Sequence, residues 1–170
     1  VTSSKKMSPN LVIEVLSPDF RGNLDHLDTL LESGLDVFSQ NIETVERLTH
    51  PVRDPRAGYN QTLRVLRHAS DKGFLSKSGM MLGLGEERDE VIKTMSDLHE
   101  NGVKILTLGQ YLRPTKNHLP VKKYIHPDEF TEYSKIGKDI GIEEVVAGPL
   151  IRSSYRADKA FMKIEENKHV

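Results

Sequence analysis

The sequence predicts an α/β fold in which parallel strands are joined by crossover helices. Two observations carry this. Short apolar runs alternate with helical-period segments along the whole chain of 170 residues, and the spacing from strand to strand is roughly the 30 residues of a βαβ unit. Neither an internal repeat nor a low-complexity segment interrupts the alternation.

Leu11 to Leu16 is an apolar run stopped by Ser17-Pro18-Asp19 and reads as a buried strand. Leu24, Leu27, Leu30 and Leu31 then recur at helical spacing, with Gly34 placed to cap the helix. Leu35 to Ser39 is a second strand. A short helix from about Glu43 and a longer one from about Tyr59 follow, the latter with Leu63, Leu66 and Ala69 on one face and Gly73 at its end. Residues 75 to 82 form a third strand running into Gly83-Leu84-Gly85-Glu86. The next helix turns Val91, Met95 and Leu98 inward and stops at Gly102. Lys104 to Leu108 is the fourth strand. A polar loop, Arg113 to Lys123, leads to Pro127, a fitting first-turn residue for a helix ending at Ile140. Glu144 to Ala147 is the last strand, and Lys5-Lys6 and Lys163 to His169 are solvated ends.

Composition narrows the classes. With 36% hydrophobic and 29% charged residues the chain has the make-up of a soluble globular domain. A formal net charge of −1 gives no bulk attraction to nucleic acid or an anionic membrane. No run approaches the ~18 apolar residues of a membrane span. The absence of cysteine excludes disulfides and favours a reducing compartment. Val1 to Asn10 has neither an apolar core of a signal peptide nor an initiator methionine, so the chain reads as beginning mid-domain.

Alternation alone allows a partial barrel or an open doubly wound sheet. In both, function gathers in the loops at the C-terminal strand ends, and the unusual polar residues fall there: Asn41 and Glu43 after the second strand, Gly83 to Glu86 after the third, Gln110-Tyr111 after the fourth, and Arg152 to Tyr155 after the fifth. Gly83-Leu84-Gly85-Glu86 permits close backbone approach and a helix N-terminus at a ligand; as a plain strand–helix turn it would set Glu86 near the helix dipole. It lacks the third glycine of a dinucleotide fingerprint and the Gly-Lys-Ser/Thr of a P-loop. Asn41 and Glu43 suit either vicinal hydroxyls or a helix N-cap. Arg53-Asp54-Pro55-Arg56 is a carboxylate clamp or a solvated loop. Gln110-Tyr111 lines a pocket or ends a buried strand. The seven histidines show no metal-ligand spacing, and His118 in the polar loop is the one to watch. Ser153 and Ser154 sit in a turn, where hydroxyls ordinarily satisfy local backbone.

Six segments together resemble the lipoyl synthases, which are radical S-adenosylmethionine (SAM) enzymes: Ile13 to Gly22, Asn41 to Val45, Val52 to Tyr59, Lys77 to Glu86, Leu106 to Pro114, and Gly148 to Ala157 (GPLIRSSYRA). They occur in family order along nearly the whole chain. The N-terminal half of the family pattern, with its two three-cysteine motifs, is absent. The resemblance implies a partial TIM-type (β/α) barrel lacking its N-terminal strands. It also implies two [4Fe-4S] clusters and SAM as cofactors, and insertion of two sulfur atoms at C6 and C8 of an octanoyl group held on a carrier-protein lysine. SAM cleavage would supply the radical, and the auxiliary cluster the sulfur. Ser154 would be the non-cysteine cluster ligand, with Arg152 steadying it. Asn41 and Glu43 would meet the ribose, and Gly83, Gly85 and Glu86 would lie against adenine. Arg53 and Lys77 would sit near the SAM carboxylate, and Gln110 and Tyr111 near the octanoyl chain.

The implied partners are an octanoylated carrier domain of 2-oxoacid dehydrogenase or glycine-cleavage type and an electron donor such as ferredoxin or flavodoxin, with no nucleic acid and no membrane. The compartment would be cytoplasmic, or the mitochondrial matrix in a eukaryote. Gln40 departs from the family's usual histidine, which removes a group that titrates near neutral pH. Without thiolates the chain alone should be inactive, and a half barrel should expose a sheet edge that pairs or precipitates. A cysteine-free module that binds the octanoylated carrier, one chain of a split enzyme, and an unrelated phosphate-binding barrel are the rival readings.

Overall fold

The computed structural model describes residues 1–155 and 157–167. Five strands, β1 (Glu14–Leu16), β2 (Val37–Ser39), β3 (Leu75–Leu82), β4 (Val103–Gln110) and β5 (Glu144–Gly148), form one parallel sheet in the order β1-β2-β3-β4-β5. Seven α-helices accompany them among the described residues: α1 (Thr2–Met7), α2 (Leu24–Leu31), α3 (Thr49–Val52), α4 (Tyr59–Asp71), α5 (Arg88–Glu100), α6 (Pro127–Ile140) and α7 (Ala157–Asn167). The strand order never reverses. The sheet therefore winds in one direction, as a barrel does, whereas a doubly wound sheet has a switch point. No helix among the described residues is long and apolar enough to cross a membrane.

Period-two alternation divides the sheet into two faces. Phe38, Met80, Leu106, Leu108 and Val145 turn outward into one core with Leu27 and Leu31 of α2, Leu66 and Ala69 of α4, Met95 and Leu98 of α5, and Phe130 of α6. Each fully buried Leu, Phe, Met or Val side chain of this core stabilises the fold by about 1.5–3 kcal/mol. The opposite, concave face carries Glu14, Ser39, Lys77, Gly79, Thr107 and Gly109, small or polar residues that leave room above them.

Helix ends follow their local chemistry. Pro127 opens α6, His126 and Glu129 cap it reciprocally, and Gly141 ends it at φ 118°. A Cβ at Gly141 would lie 2.6 Å from the His99 ring, so glycine is required there twice over. In α5 the capping box is Glu87 with Glu90, and Arg47 grips the Glu90 carboxylate through two nitrogens at 2.7 Å each. The Arg47 hydrogen bonds, helped by the Glu87 amide, hold the Glu90 carboxyl down to about 2 from an ordinary 4.5. A depressed carboxylate stabilises above its unfolded pKa and stops doing so as pH falls through the folded one. The α5 cap is therefore expected to persist below pH 4.5 and to fail only near pH 2. A carbon-detected NMR titration of Glu90 checks this; a midpoint near 4.5 would contradict the geometry.

Several sequence expectations are corrected. The first strand is not buried: it is a three-residue edge strand, and Leu16 is 54% exposed. No helix begins at Glu43. That residue is held at φ 67° by a bridge to Met80, and a 3-10 turn at Glu46–Leu48 precedes α3 instead. Lys5 is not a solvated end, because it pairs with Asp36 at 2.6 Å. The C-terminal run is helical: Ala160 and Ile164 of α7 are buried against Ile105 and Leu75 at the foot of the concave face, and Lys163 meets Glu144 at 2.6 Å. His169 lies outside the described residues.

Candidate active site at the strand rim

Above the concave face, at the C-terminal ends of β2 to β5, is a cavity of about 660 Å³. Its base is Gly79 and Thr107, with Gly109 beside them. Its apolar walls come from Met81, Leu84, Leu112 and Leu119, and Ile151 to Ser153 close one side. A neighbouring cavity of about 480 Å³ lies over β1 and β2 and is bordered by Arg21, Arg53 and Arg56. Asn41 and Glu43 line both cavities and form the partition between them.

The partition is built by strain. Glu43 sits in the left-handed region, where a non-glycine residue is uncommon. Its N–H donates to Gly79 O at 3.0 Å and its carbonyl accepts from Met81 N at 2.9 Å, which fixes the conformation. Burial pushes the Glu43 carboxyl above its ordinary range, opposed by a hydrogen bond from Asn41 and the charge of Arg53. Burial in turn lowers the Arg53 guanidinium, which Glu43 and Asp19 partly restore. The Asn41 side-chain oxygen is buried and has no hydrogen-bond partner among the described residues. A Cβ on Gly79 would lie 2.8 Å from that oxygen and 2.7 Å from Thr107 Oγ1. The glycine thus keeps open a space beside an acceptor that nothing in the fold satisfies.

The other sequence candidates take different places. Gly83, Gly85 and Glu86 do not line the cavity. The Glu86 carboxylate accepts from Gly83 N at 2.5 Å and Leu84 N at 2.9 Å, so two of the loop's amides are occupied internally by an anion of its own, and Leu84 alone of the four faces the cavity. Lys77 is 1% exposed and donates to both Glu14 oxygens at 2.8 Å, away from either cavity. A buried ammonium needs a counter-ion at hand, and on the concave face Glu14 is the carboxylate within reach. Gln110 lines the cavity, but its amide donates to Tyr111 O and Lys123 O and accepts from Ile125 N, which pins the polar loop. Tyr111 does the same through its hydroxyl, donating to Leu119 O at 2.9 Å. Arg53 donates to Thr62 Oγ1 at 2.9 Å beside the smaller cavity. Gln40 also borders that cavity, with its side-chain oxygen buried and without a hydrogen-bond partner among the described residues.

Arg152 to Tyr155 is a turn closed by Tyr155 N donating to Arg152 O at 2.9 Å. Ser153 and Arg152 stand in the cavity wall, and Ser154 is exposed at the tip one residue beyond. Arg156 of the same segment lies outside the described residues. His118 lines the cavity and is held by Thr115 at 2.9 Å. Sequence reading missed Gly79, Thr107 and Gly109, although three small residues on the same face of paired strands were a visible signal.

A family model described as Radical SAM superfamily matches residues 3–98. The chain belongs to the radical SAM superfamily. This radical SAM chain is 55% identical over 165 residues to the lipoyl synthase of Legionella pneumophila strain Corby, covering 96% of this chain and 50% of that one. The lipoyl synthases of Marinobacter nauticus and Thermus thermophilus are 53% and 52% identical over the same share of this chain, covering 47% and 51% of theirs. The chain thus spans about half the length of these relatives. Among solved structures, a radical SAM methyltransferase from Kitasatospora setae superposes with a TM-score of 0.48 at 14% identity, over 63% of this chain and 22% of that one.

Proposed function

We propose that this radical SAM chain carries the SAM- and substrate-binding rim of a lipoyl synthase, whose reaction inserts two sulfur atoms into a protein-bound octanoyl group. The observation that supports this reading most is the orphaned Asn41 acceptor beside the open Gly79 position, in a chain 55% identical to a lipoyl synthase. The residues fit SAM. Asn41 and Glu43 offer an amide and a carboxylate to vicinal hydroxyls, and Arg53 a guanidinium to a carboxylate. When bound, and given one electron by a reductant outside this chain, SAM would supply the hydrogen-atom abstraction that activates a C–H bond. The chain's own part is to hold it over Gly79 and Thr107, to bury the alkyl chain and to exclude water. An octanoyl group laid along Met81, Leu112 and Leu119 gains about 0.8 kcal/mol per buried methylene.

The residues do not by themselves fit an iron–sulfur cluster. The chain has no cysteine, and no group of three metal-binding side chains occurs among the described residues. From the resemblance of residues 148–157 to the lipoyl synthases we propose Ser154 as one oxygen ligand, with Arg152 beside it, to a cluster whose thiolates another polypeptide segment would supply. The same composition favours a second reading, a cysteine-free module that binds the acylated carrier without chemistry or serves as one chain of a split enzyme.

The test is to join or co-express the chain with the cysteine-bearing N-terminal half of the Legionella relative and reconstitute it with iron, sulfide and a flavodoxin-type reductant. An octanoylated carrier domain is then supplied and lipoyl product sought by mass spectrometry. Product is expected, with Ser154→Ala lowering it about tenfold or more and Ser153→Ala changing it little. Equal effects of the two serines would reject the ligand assignment. Carrier binding without product in the complemented assembly would favour the second reading.

A further inference from the structure

From Asn101 through Pro127 the sequence has no aspartate or glutamate, while it has Arg113, Lys116, Lys122 and Lys123 in the loop over the cavity. Val145 to Ala157, across the mouth, is also free of acids and brings Arg152. Among the described residues Lys123 is paired, with Glu129 at 2.8 Å, and no carboxylate meets Arg113, Lys116, Lys122 or Arg152. All four are exposed. In a chain of net charge −1, where exposed cations such as Arg47 and Arg88 pair with carboxylates, four exposed cations without one around a single opening are a local excess of positive charge.

Its position is informative. Arg113 and Lys116 flank the wall residues Leu112, Asn117 and His118 without lining the cavity themselves, and the stem of Lys122 lies over Gly85. These charges ring the opening instead of its interior, so a small molecule inside the cavity would not meet most of them. A larger body closing on the mouth would. The loop is already held in place: Arg113 Nε donates to His118 O at 2.9 Å, Lys122 N to Gly83 O at 2.8 Å, and Arg113 Nη2 to Lys116 O. A pinned loop loses little freedom on docking.

We infer that the cation-rich mouth formed by the two acid-free segments, 101–127 and 145–157, is a docking surface for an acidic protein face that presents the acylated lysine to the cavity. The inference rests on the proposed function for the acyl group and adds the chemistry of the surface around it. A nucleic acid is a poorer fit, since the patch is confined to one mouth and, among the described residues, only Tyr124 and Tyr155 are exposed aromatics there, too few for a row of stacking platforms.

The test uses the full chain and four fluorescent probes: an octanoyl-lysine peptide flanked by Asp and Glu, the same peptide flanked by Lys and Arg, the acidic peptide with unmodified lysine, and a single-stranded RNA. The acidic octanoyl peptide should bind about tenfold or more tightly than its basic-flanked counterpart at low salt, and the gap should close at high salt. The double variant Lys116→Glu with Lys122→Glu should erase the preference while melting at the parent temperature, since both side chains are exposed. Equal affinity for the two octanoyl peptides, no binding of any probe, or RNA binding of equal strength lost in the same variant would overturn the inference. If the acidic peptide binds equally well with or without its octanoyl group, the docking surface stands and the acyl-pocket reading falls.

Discussion

Lys77→Ala is expected to cost about 3 kcal/mol of folding stability and to lower the melting temperature by roughly 10 °C. Lys77 is 1% exposed on the concave face, and its ammonium donates to both oxygens of the Glu14 carboxylate, which is 20% exposed. The pair reaches from β3 across β2 to β1, passing Ser39, which lies in register with Lys77. Removing the ammonium leaves a half-buried carboxylate with no counter-ion, and the edge strand loses its tie to the sheet. Because Glu14 keeps some access to water, the lower end of the range for broken buried pairs applies. The double variant Lys77→Met with Glu14→Leu should regain most of the loss, since the desolvation of two charges disappears with them. A thermal melt of the parent, the single and the double variant decides it. A single variant that melts at the parent temperature would mean that the ion pair contributes nothing.

Gly109→Ala is expected to lower the melting temperature by roughly 5 °C and to abolish product in the cysteine-complemented assembly. A Cβ at this position would fall on the Ile151 carbonyl, a backbone atom, and lie 3.3 Å from the Arg152 guanidinium. A side chain could rotate aside; a main-chain carbonyl cannot without moving the turn that bears Ser153 and Ser154. Gly148 is the control. It pairs in register with Gly109, but a Cβ there would meet the Ile151 side chain at 3.3 Å, which can give way. Gly148→Ala should therefore leave stability and product nearly unchanged. If the two alanines behave alike, the close approach at Gly109 does not position the turn.

The elements that sequence reading located well are those whose burial is set by their own periodicity. The strand at 75–82 and the helices from Tyr59 and Pro127 fall where the apolar pattern and the turn residues put them. The misreadings share a cause. Leu11 to Leu16 has the composition of a core strand, yet exposure depends on whether a neighbour lies beside it, and β1 is the edge of this sheet. Lys163 to His169 reads as a solvated end, and only docking of Ile164, with Ala160 one turn before it, under the concave face makes this helix part of a core. Among the site residues, chemistry was legible and partnership was not. Lys77 and Glu86 are reactive types, but each is consumed by a partner: Lys77 by Glu14, distant in sequence, and Glu86 by the Gly83 and Leu84 amides of its own loop.

Sequence alone was enough to determine the alternation of strand and helix, the rim that gathers the polar residues, and the lack of any thiolate, because period, turn chemistry and composition are local properties. Tertiary structure decided the single winding direction, the partition of two cavities by a strained Glu43, and which polar atoms remain unspent. Those depend on how strands are ordered and on which buried groups find partners, and such pairings join residues that no local pattern connects.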